Sequence, residues 1–230
     1  MISVCMPTFN GEKYIKKQIE SILSQMNDED ELIISDDSST DKTISIIASL
    51  NDSRIKVFFH TPNTLQLKKK LGIYRIVAEN YFNALNYAKG DYIFLADQDD
   101  LWSQGRVKKF KEILNNNILA LCNYSVIDSN DNITNKSYYK TKIVSNSFFK
   151  NVVVSRFMCC CMAFRKELLP YILPFPRNLM SCDQWIGILG TMVGKVSFIA
   201  EPLHLYRRHE INASPTTEKS PNSFFFKIYF

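Results

Sequence analysis

The chain has 230 residues, room for one large α/β domain with a sizeable core. Its 46% hydrophobic and 22% charged residues are the balance of an ordinary soluble globular protein. A formal net charge of +5 is too weak to imply nucleic acid as a partner, while it suits an anionic substrate or an anionic membrane surface.

Strands and helices alternate through the first half. Ile2–Met6 is a short apolar strand, and Gly11–Met26 carries Tyr14, Ile15, Ile19, Ile22, Leu23 and Met26 at helical spacing. Leu32–Ser35 is a second strand, and the Ser38-Ser39-Thr40-Asp41 cap signals open a helix over Asp41–Leu50. Ile55–Phe59 is a third strand, followed by a polar loop through Pro62 and Asn63. Lys68, Lys69 and Lys70, the densest basic run, read as a solvated loop. Tyr74–Ala88 is a helix ended at Gly90, Tyr92–Ala96 a fourth strand and Leu101–Leu114 a helix. This order predicts a parallel, Rossmann-like sheet with helices on both faces, whose ligands bind beyond the carboxyl ends of the strands.

The second half is less regular. Ile118–Tyr124 and Phe157–Phe164 read as strands, with a polar loop of weak hairpin character over Ser125–Asn151 between them. Asp183–Val193 has helical spacing. Val196–Ile199 and Leu203–Tyr206 read as short strands around Pro202. The segment from Phe224 to Phe230, with Lys219 and Lys227, has the composition of a membrane-surface contact, or of a tail bound by a partner. No internal repeat or linker divides the chain. The expectation is one domain over 1–230, with a nucleotide half over 1–115 and an acceptor half over 116–230.

Six cysteines occur, and none falls into a C-x-x-C spacing, so no zinc site is expected. Cys159, Cys160 and Cys161 read as small core hydrophobes of a reducing compartment. No signal peptide precedes the first strand, and no apolar stretch approaches the roughly 20 residues that cross a bilayer. The expected location is the cytoplasm, free or peripheral at the inner face of the plasma membrane.

Residues 91–102 are the most informative stretch. An apolar strand runs into Asp97, Asp99 and Asp100. Three carboxylates at a strand end repel one another unless a cation sits there, and Mg²⁺ or Mn²⁺ commonly bridges such carboxylates to a substrate's phosphates. An acidic turn capping the next helix is the alternative. Polar clusters also follow the first strand (Pro7, Thr8, Phe9, Asn10) and the second (Asp36, Asp37), all on the same predicted rim. No Walker or G-x-G-x-x-G loop is present, so a nucleotide here is held by side chains and a metal.

The string Ile2 to Glu12 resembles the opening of family 2 glycosyltransferases, inverting enzymes of the GT-A fold. Leu32–Thr43 looks like their second motif, and Gly90–Trp102 like their Asp-x-Asp segment in its rhamnosyltransferase-like form. Ser181-Cys182-Asp183-Gln184-Trp185 is similar to the catalytic-base segment, and Tyr206–Asn212 to the closing Tyr-Arg-x-His-x-x-Asn. The resemblance implies transfer of a sugar from a nucleoside-diphosphate donor, UDP- or dTDP-linked, to the hydroxyl of a glycan or lipid-linked glycan in bacterial surface polysaccharide assembly. A non-catalytic protein that binds sugar nucleotides is the alternative.

The resemblance also distributes roles. Pro7 ends the first strand while Thr8 and Asn10 offer polar groups to the nucleotide, unless this turn is mere strand-to-helix punctuation. Asp37, with Asp36 beside it, accepts the imide N–H of a pyrimidine base, or caps a helix. Asp99 is the metal ligand. Asp97 lies near the ribose or the metal shell, and Asp100 faces the donor sugar or caps the helix. His209 makes a second metal contact, touches the diphosphate, or is structural. Arg75 and Asn80 read as surface or packing residues, and Trp185 as core or as a sugar platform. Asp183 is the general base toward the acceptor, or an N-cap. Cys182 stands where many relatives carry the first of two acidic residues, which leaves one carboxylate for the task.

Overall fold

The computed structural model describes residues 1–60, 65–139, 157–176 and 181–210. The expected loop at Pro62 and Asn63, the tail from Phe224 and residues 140–151 of the polar loop lie outside them. Alternation of side chains along β1 (Ile2–Thr8) dictates a two-sided sheet. Ile2, Val4 and Met6 enter one core, and Cys5 enters the other. β2 (Glu31–Asp36), β3 (Ile55–Phe59) and β4 (Tyr92–Leu95) align parallel with β1 in the order β3-β2-β1-β4. Their carboxyl ends therefore share one rim.

One face is covered by α1 (Ile15–Leu23), α2 (Thr43–Ser49) and α4 (Arg106–Leu114), through residues such as Ile19, Ile47 and Phe110. The other is covered by α3 (Leu65–Leu85), the short α5 (Leu169–Ile172) and α6 (Cys182–Val193), through Phe82, Ile172 and Ile186. Beyond β4 the sheet turns mixed: β8 (Met162–Arg165) is antiparallel to β4, β6 (Leu119–Ile127) antiparallel to β8, and β9 (Val196–Arg207) parallel to β6. β7 (Ile133–Asn135) makes a hairpin with β6. Among the described residues no helix is long and apolar enough to cross a membrane.

Several boundaries differ from the sequence reading. Leu101–Trp102 is not helix but a short strand, β5, paired antiparallel with Leu205 and His204 of β9. Gly105, at φ 80, then breaks the backbone, and α4 begins only after it. The third helix starts at Leu65, so Lys68–Lys70 are helical rather than loop. Phe157–Phe164 is not one strand, because Cys159–Cys161 coil into a 3₁₀ turn before β8. The two strands expected around Pro202 are one. β9 crosses Pro202 by a register shift opposite Cys122–Tyr124, which accommodates the missing N–H.

Gly90 fixes how α3 returns to the sheet. Its N–H donates to Ser3 Oγ at 2.7 Å, and a Cβ built there would stand 2.5 Å from the Ser3 backbone nitrogen. Gly90→Ala is expected to lose on the order of 1–3 kcal/mol through forced displacement of β1. Urea unfolding measures this, with Gly105→Ala, which meets no atom within 4 Å, separating crowding from backbone strain.

Candidate active site

The loops after β1 and β2 are tied to each other by their own polar groups. Asn10 sits at φ 48, its N–H bound to Ser39 Oγ at 2.9 Å and its Oδ1 accepting from Thr40 N at 2.9 Å. Gly11 N–H donates to Thr43 Oγ1 at 2.7 Å, and Lys42 N–H to Glu12 Oε2 at 2.9 Å. Asp36 accepts from Thr8 Oγ1 at 3.0 Å and from Ser39 N at 2.8 Å, and it is 1% exposed.

These contacts correct part of the sequence reading. Pro7 lies within β1, opposite Ser35, and does not end it. Thr8 and Asp36 are buried and bonded to each other, so they shape the rim rather than face a ligand. Asn10 is exposed, but its carbonyl braces the neighbouring loop. Asp37 stands differently. Its N–H is held by Thr8 O at 2.9 Å and its Oδ1 lies 3.3 Å from His60 Nδ1 at the end of β3.

Gln98 joins the first loop to the β4 tip. Its amide accepts from Phe9 N at 2.9 Å and donates to Phe9 O at 3.0 Å. A Cβ on Gly11 would stand 2.4 Å from Gln98 Oε1, so glycine is required for this approach. Asn80, buried on α3 and not on the surface, donates to Thr8 O at 3.2 Å, while its Oδ1 is buried with no hydrogen-bond partner. Tyr81, one residue on, places its hydroxyl on Asp97 Oδ1 and 3.0 Å from Ala96 O. Gln18 Nε2 donates to Asp97 O at 2.7 Å.

The three carboxylates of the β4 tip have three different environments. Asp97 is raised well above the usual carboxylate range by burial, then by Asp100 and Asp99, with Tyr81 opposing and Asp183 adding to the rise. Asp99 Oδ2 lies 2.8 Å from His209 Nε2, an oxygen and a nitrogen of the types that ligate Mn²⁺ or Mg²⁺. Asp100 is wholly buried and faces neither donor sugar nor helix cap, which corrects its expected role. Its Oδ2 is 2.8 Å from His204 Nε2, and its Oδ1 accepts from Arg207 N at 2.7 Å. Burial and nearby Arg106 hold His204 well below the ordinary histidine value, hence neutral.

Arg207 binds the assembly together. Fully buried, it donates through Nε to Asp99 O at 2.6 Å and through Nη1 to Asp128 O at 3.0 Å and the Asp131 carboxylate. Its guanidinium lies 4.5 Å from the Tyr14 ring centroid, and the His209 ring is 5.0 Å from the same ring. The β6–β7 hairpin, α1 and the β4 tip thus meet on one cation.

Asp183 reaches this rim from α6. Ser181 is the N-cap, accepting from Gln184 N, so Asp183 is not needed for capping. Its Oδ1 accepts from Cys159 N at 3.1 Å, and Cys182 Sγ is 3.5 Å from the same oxygen. Burial raises its pKa, against the hydrogen bonds from Cys159 and Cys182. Trp185 donates Nε1–H to Ile172 O at 3.2 Å and packs, partly buried, against the α5–α6 core. The sequence reading missed Tyr81, Gln98, His60, His204 and Arg207. Gln98 and Arg207 were inside its motifs, whereas Tyr81 and His60 had no signal beyond their places at a helix face and a strand end.

The geometry has counterparts among known proteins. The profile of "Glycosyl transferase family 2" matches residues 3–173. The glucosyltransferase WfgD of Escherichia coli, which bears the name UDP-Glc:alpha-D-GlcNAc-diphosphoundecaprenol beta-1,3-glucosyltransferase, is 32% identical over 82% of this chain and 70% of its own length. The dTDP-rhamnosyl transferase RfbG of Shigella flexneri is 28% identical over 90% of this chain and 72% of its own. Staphylococcus aureus TarS, solved with UDP-GlcNAc, superposes with TM-score 0.69 at 20% identity, over 98% of this chain and 64% of that one. The mannosyltransferase PcManGT of Pyrobaculum calidifontis, solved with GDP-Man and Mn²⁺, superposes with TM-score 0.61 at 18% identity, over 90% and 56%. The structural likeness establishes the GT-A fold, the chain spans about two thirds of the TarS chain, and the profile match with the likeness to WfgD places the protein in glycosyl transferase family 2.

Proposed function

We propose that the protein transfers a sugar, with inversion, from a UDP- or dTDP-linked donor to a hydroxyl of a lipid-linked glycan, in the assembly of a bacterial surface polysaccharide. The observation that carries this reading is that Asp183, on α6, and the acidic tip of β4 meet at one turn: Cys159 N–H donates to Asp183 at 3.1 Å, and Cys160 Sγ lies within 4.8 Å of carboxylate oxygens of Asp97 and Asp100. In this reading residues 1–115 hold the donor and residues 116–230 the acceptor. The names of WfgD and RfbG support the donor and acceptor classes.

Asp37 is placed to accept the imide N–H of the base, since a carboxylate only accepts. Asn80 Oδ1, buried and unpartnered beside Thr8, is a second acceptor on that side of the rim. Asp99 and His209 are the groups that would hold a divalent ion, with Asp97 behind them. That ion would offset the charge growing on the leaving diphosphate. Arg207 and Gln98 keep the β4 tip from moving as that charge develops. Asp183 takes the proton of the acceptor hydroxyl as the hydroxyl attacks the anomeric carbon from the face opposite the diphosphate. The six donor- and metal-side positions Pro7, Thr8, Asn10, Asp36, Asp97 and Asp100 act through the shape of the rim.

Two outcomes test the roles. Asp183→Asn is expected to lower turnover by about 10²–10⁴-fold while donor affinity is kept. This is read by release of UDP or dTDP after a thermal-shift screen has identified the donor, and near-native turnover would remove Asp183 from the reaction. In the parent enzyme the base works deprotonated, so activity falls as pH drops through its pKa. Because burial raises that pKa, the acidic limb of kcat/KM should lie above the ordinary carboxylate range. Asp99→Ala is expected to weaken Mn²⁺-dependent binding of the nucleotide by roughly 10–100-fold. Equal affinity of parent and variant in titrations with and without Mn²⁺ would contradict the assignment.

A further inference from the structure

A second group of cysteines lies beneath the acidic rim, away from Asp183. All six in the chain are buried free thiols. Cys160 and Cys161, in the turn before β8, and His204 of β9 hold their ligand atoms within 4.8 Å of one another. Cys122 of β6 adjoins them, its thiol hydrogen-bonded to that of Cys161. Sulfur and imidazole are the ligand types of soft, closed-shell cations, unlike the oxygen-rich set at Asp99.

Two independent features point to an ion here. His204 is wholly buried, and its Nε2 faces the Asp100 carboxylate at 2.8 Å. With Asp100 ionised, Nε2 donates to it and Nδ1 holds a lone pair. That Nδ1 is buried with no hydrogen-bond partner. A carboxylate that orients a histidine in this way is the usual support of a metal-bound imidazole. The second feature is Arg106. It is fully buried, with Nη1 at 3.3 Å from Cys122 Sγ, Nη2 at 2.7 Å from Cys160 O and Nε unpartnered. Its rings of contact are Trp102 and Phe110, and no carboxylate among the described residues forms an ion pair with it. A buried guanidinium without an anion is costly, and thiolates beside it would supply the missing charge.

We propose that Cys160, Cys161 and His204, with Cys122 as the fourth ligand, bind one soft d¹⁰ cation, Zn²⁺ or Cu⁺, which fastens the turn 159–161 to β6 and β9. Ligand bonds of about 2.0–2.3 Å draw the atoms closer than they stand here, a change that side-chain rotation of the thiols can make. The thiol protons pass to solvent as the ion binds. With Zn²⁺, three thiolates leave one net negative charge, and Arg106 balances it. The C-x-x-C test fails for this site because its ligands come from a strand, a turn and a second strand.

The full chain, expressed with zinc in the medium and purified without chelator, is expected to carry about one equivalent of metal by native mass spectrometry and elemental analysis. Copper in place of zinc upholds the site and names its ion. Reconstitution with Co²⁺ should give a thiolate-to-cobalt charge-transfer band in the near ultraviolet. Cys161→Ser and Cys122→Ser should lose metal and band, whereas Cys5→Ser, on β1 and outside the cluster, keeps both. A parent chain that folds metal-free, shows no cobalt band and has an unfolding temperature unmoved by Zn²⁺ or Cu⁺ overturns the proposal, whatever the variants do. Metal lost in Asp99→Ala but kept in the cysteine variants places the ion at the acidic rim and overturns it as well.

Discussion

Repulsion among the carboxylates at the tip of β4 is the constraint on which the rest depends. Asp97, Asp99 and Asp100 fall within four residues, and two of them are pushed well above the usual carboxylate range by burial and by one another. The chain answers with donors from far away in sequence. Tyr81 on α3 serves Asp97, His209 faces Asp99, and His204 and the Arg207 backbone serve Asp100. Most of this support comes from the end of β9, beyond the residues matched by the family profile. The β4 motif cannot hold its shape without that return strand, and β5 exists because Leu101–Trp102 pair with it.

The loops after β1 and β2 follow the same logic at lower charge. Asn10, Ser38 and the Gly11–Gln98 approach depart from ordinary strand or helix geometry, and backbone-to-side-chain hydrogen bonds compensate each departure. Motif residues that read as ligand contacts, such as Asp36 and Thr8, are the compensation. Of the acids and histidines at the rim, Asp97, Asp99, His209 and Asp183 are partly exposed, while Asp37 is buried beside His60.

The parallel first half of the fold was legible because its apolar runs are short and separated by helical stripes. Four strands and their shared rim followed from period alone. The failures are local and have causes. Leu101–Trp102 carry a helix-compatible pattern, but their backbone groups pair with β9, a tertiary contact that no window of sequence contains. Cys159–Cys161 look like strand because they are apolar, yet their thiols meet Asp183, Asp100 and Cys122 in turn, which requires a coil. At the site, residue types pick out the acids as a group, and the structure gives each a different environment. Asp36 closes β2, Asp37 follows it, and Asp99 and Asp100 lie in the turn after β4, so the surroundings of each are set by contacts from β1 and from the ends of β3 and β9 that lie far off in sequence.

The turn 159–161 links the two sides of the proposed reaction. Cys159 donates its N–H to Asp183 and sets its thiol 3.0 Å from that of Cys182. Cys160 contacts Asp100 through its thiol and accepts from Arg106 through its carbonyl. Cys161 leans on Cys122 of β6. A shift of this three-residue coil would therefore move the carboxylate that faces the acceptor and disturb the brace under the β4 tip together. Ordinary core packing around small thiols is compliant, since a thiol fills little volume and bonds weakly. A segment that must register two distant carboxylates to within hydrogen-bonding tolerance needs a stiffer anchor than that, and its hydrogen bonds to Asp183 and Arg106 provide only part of it.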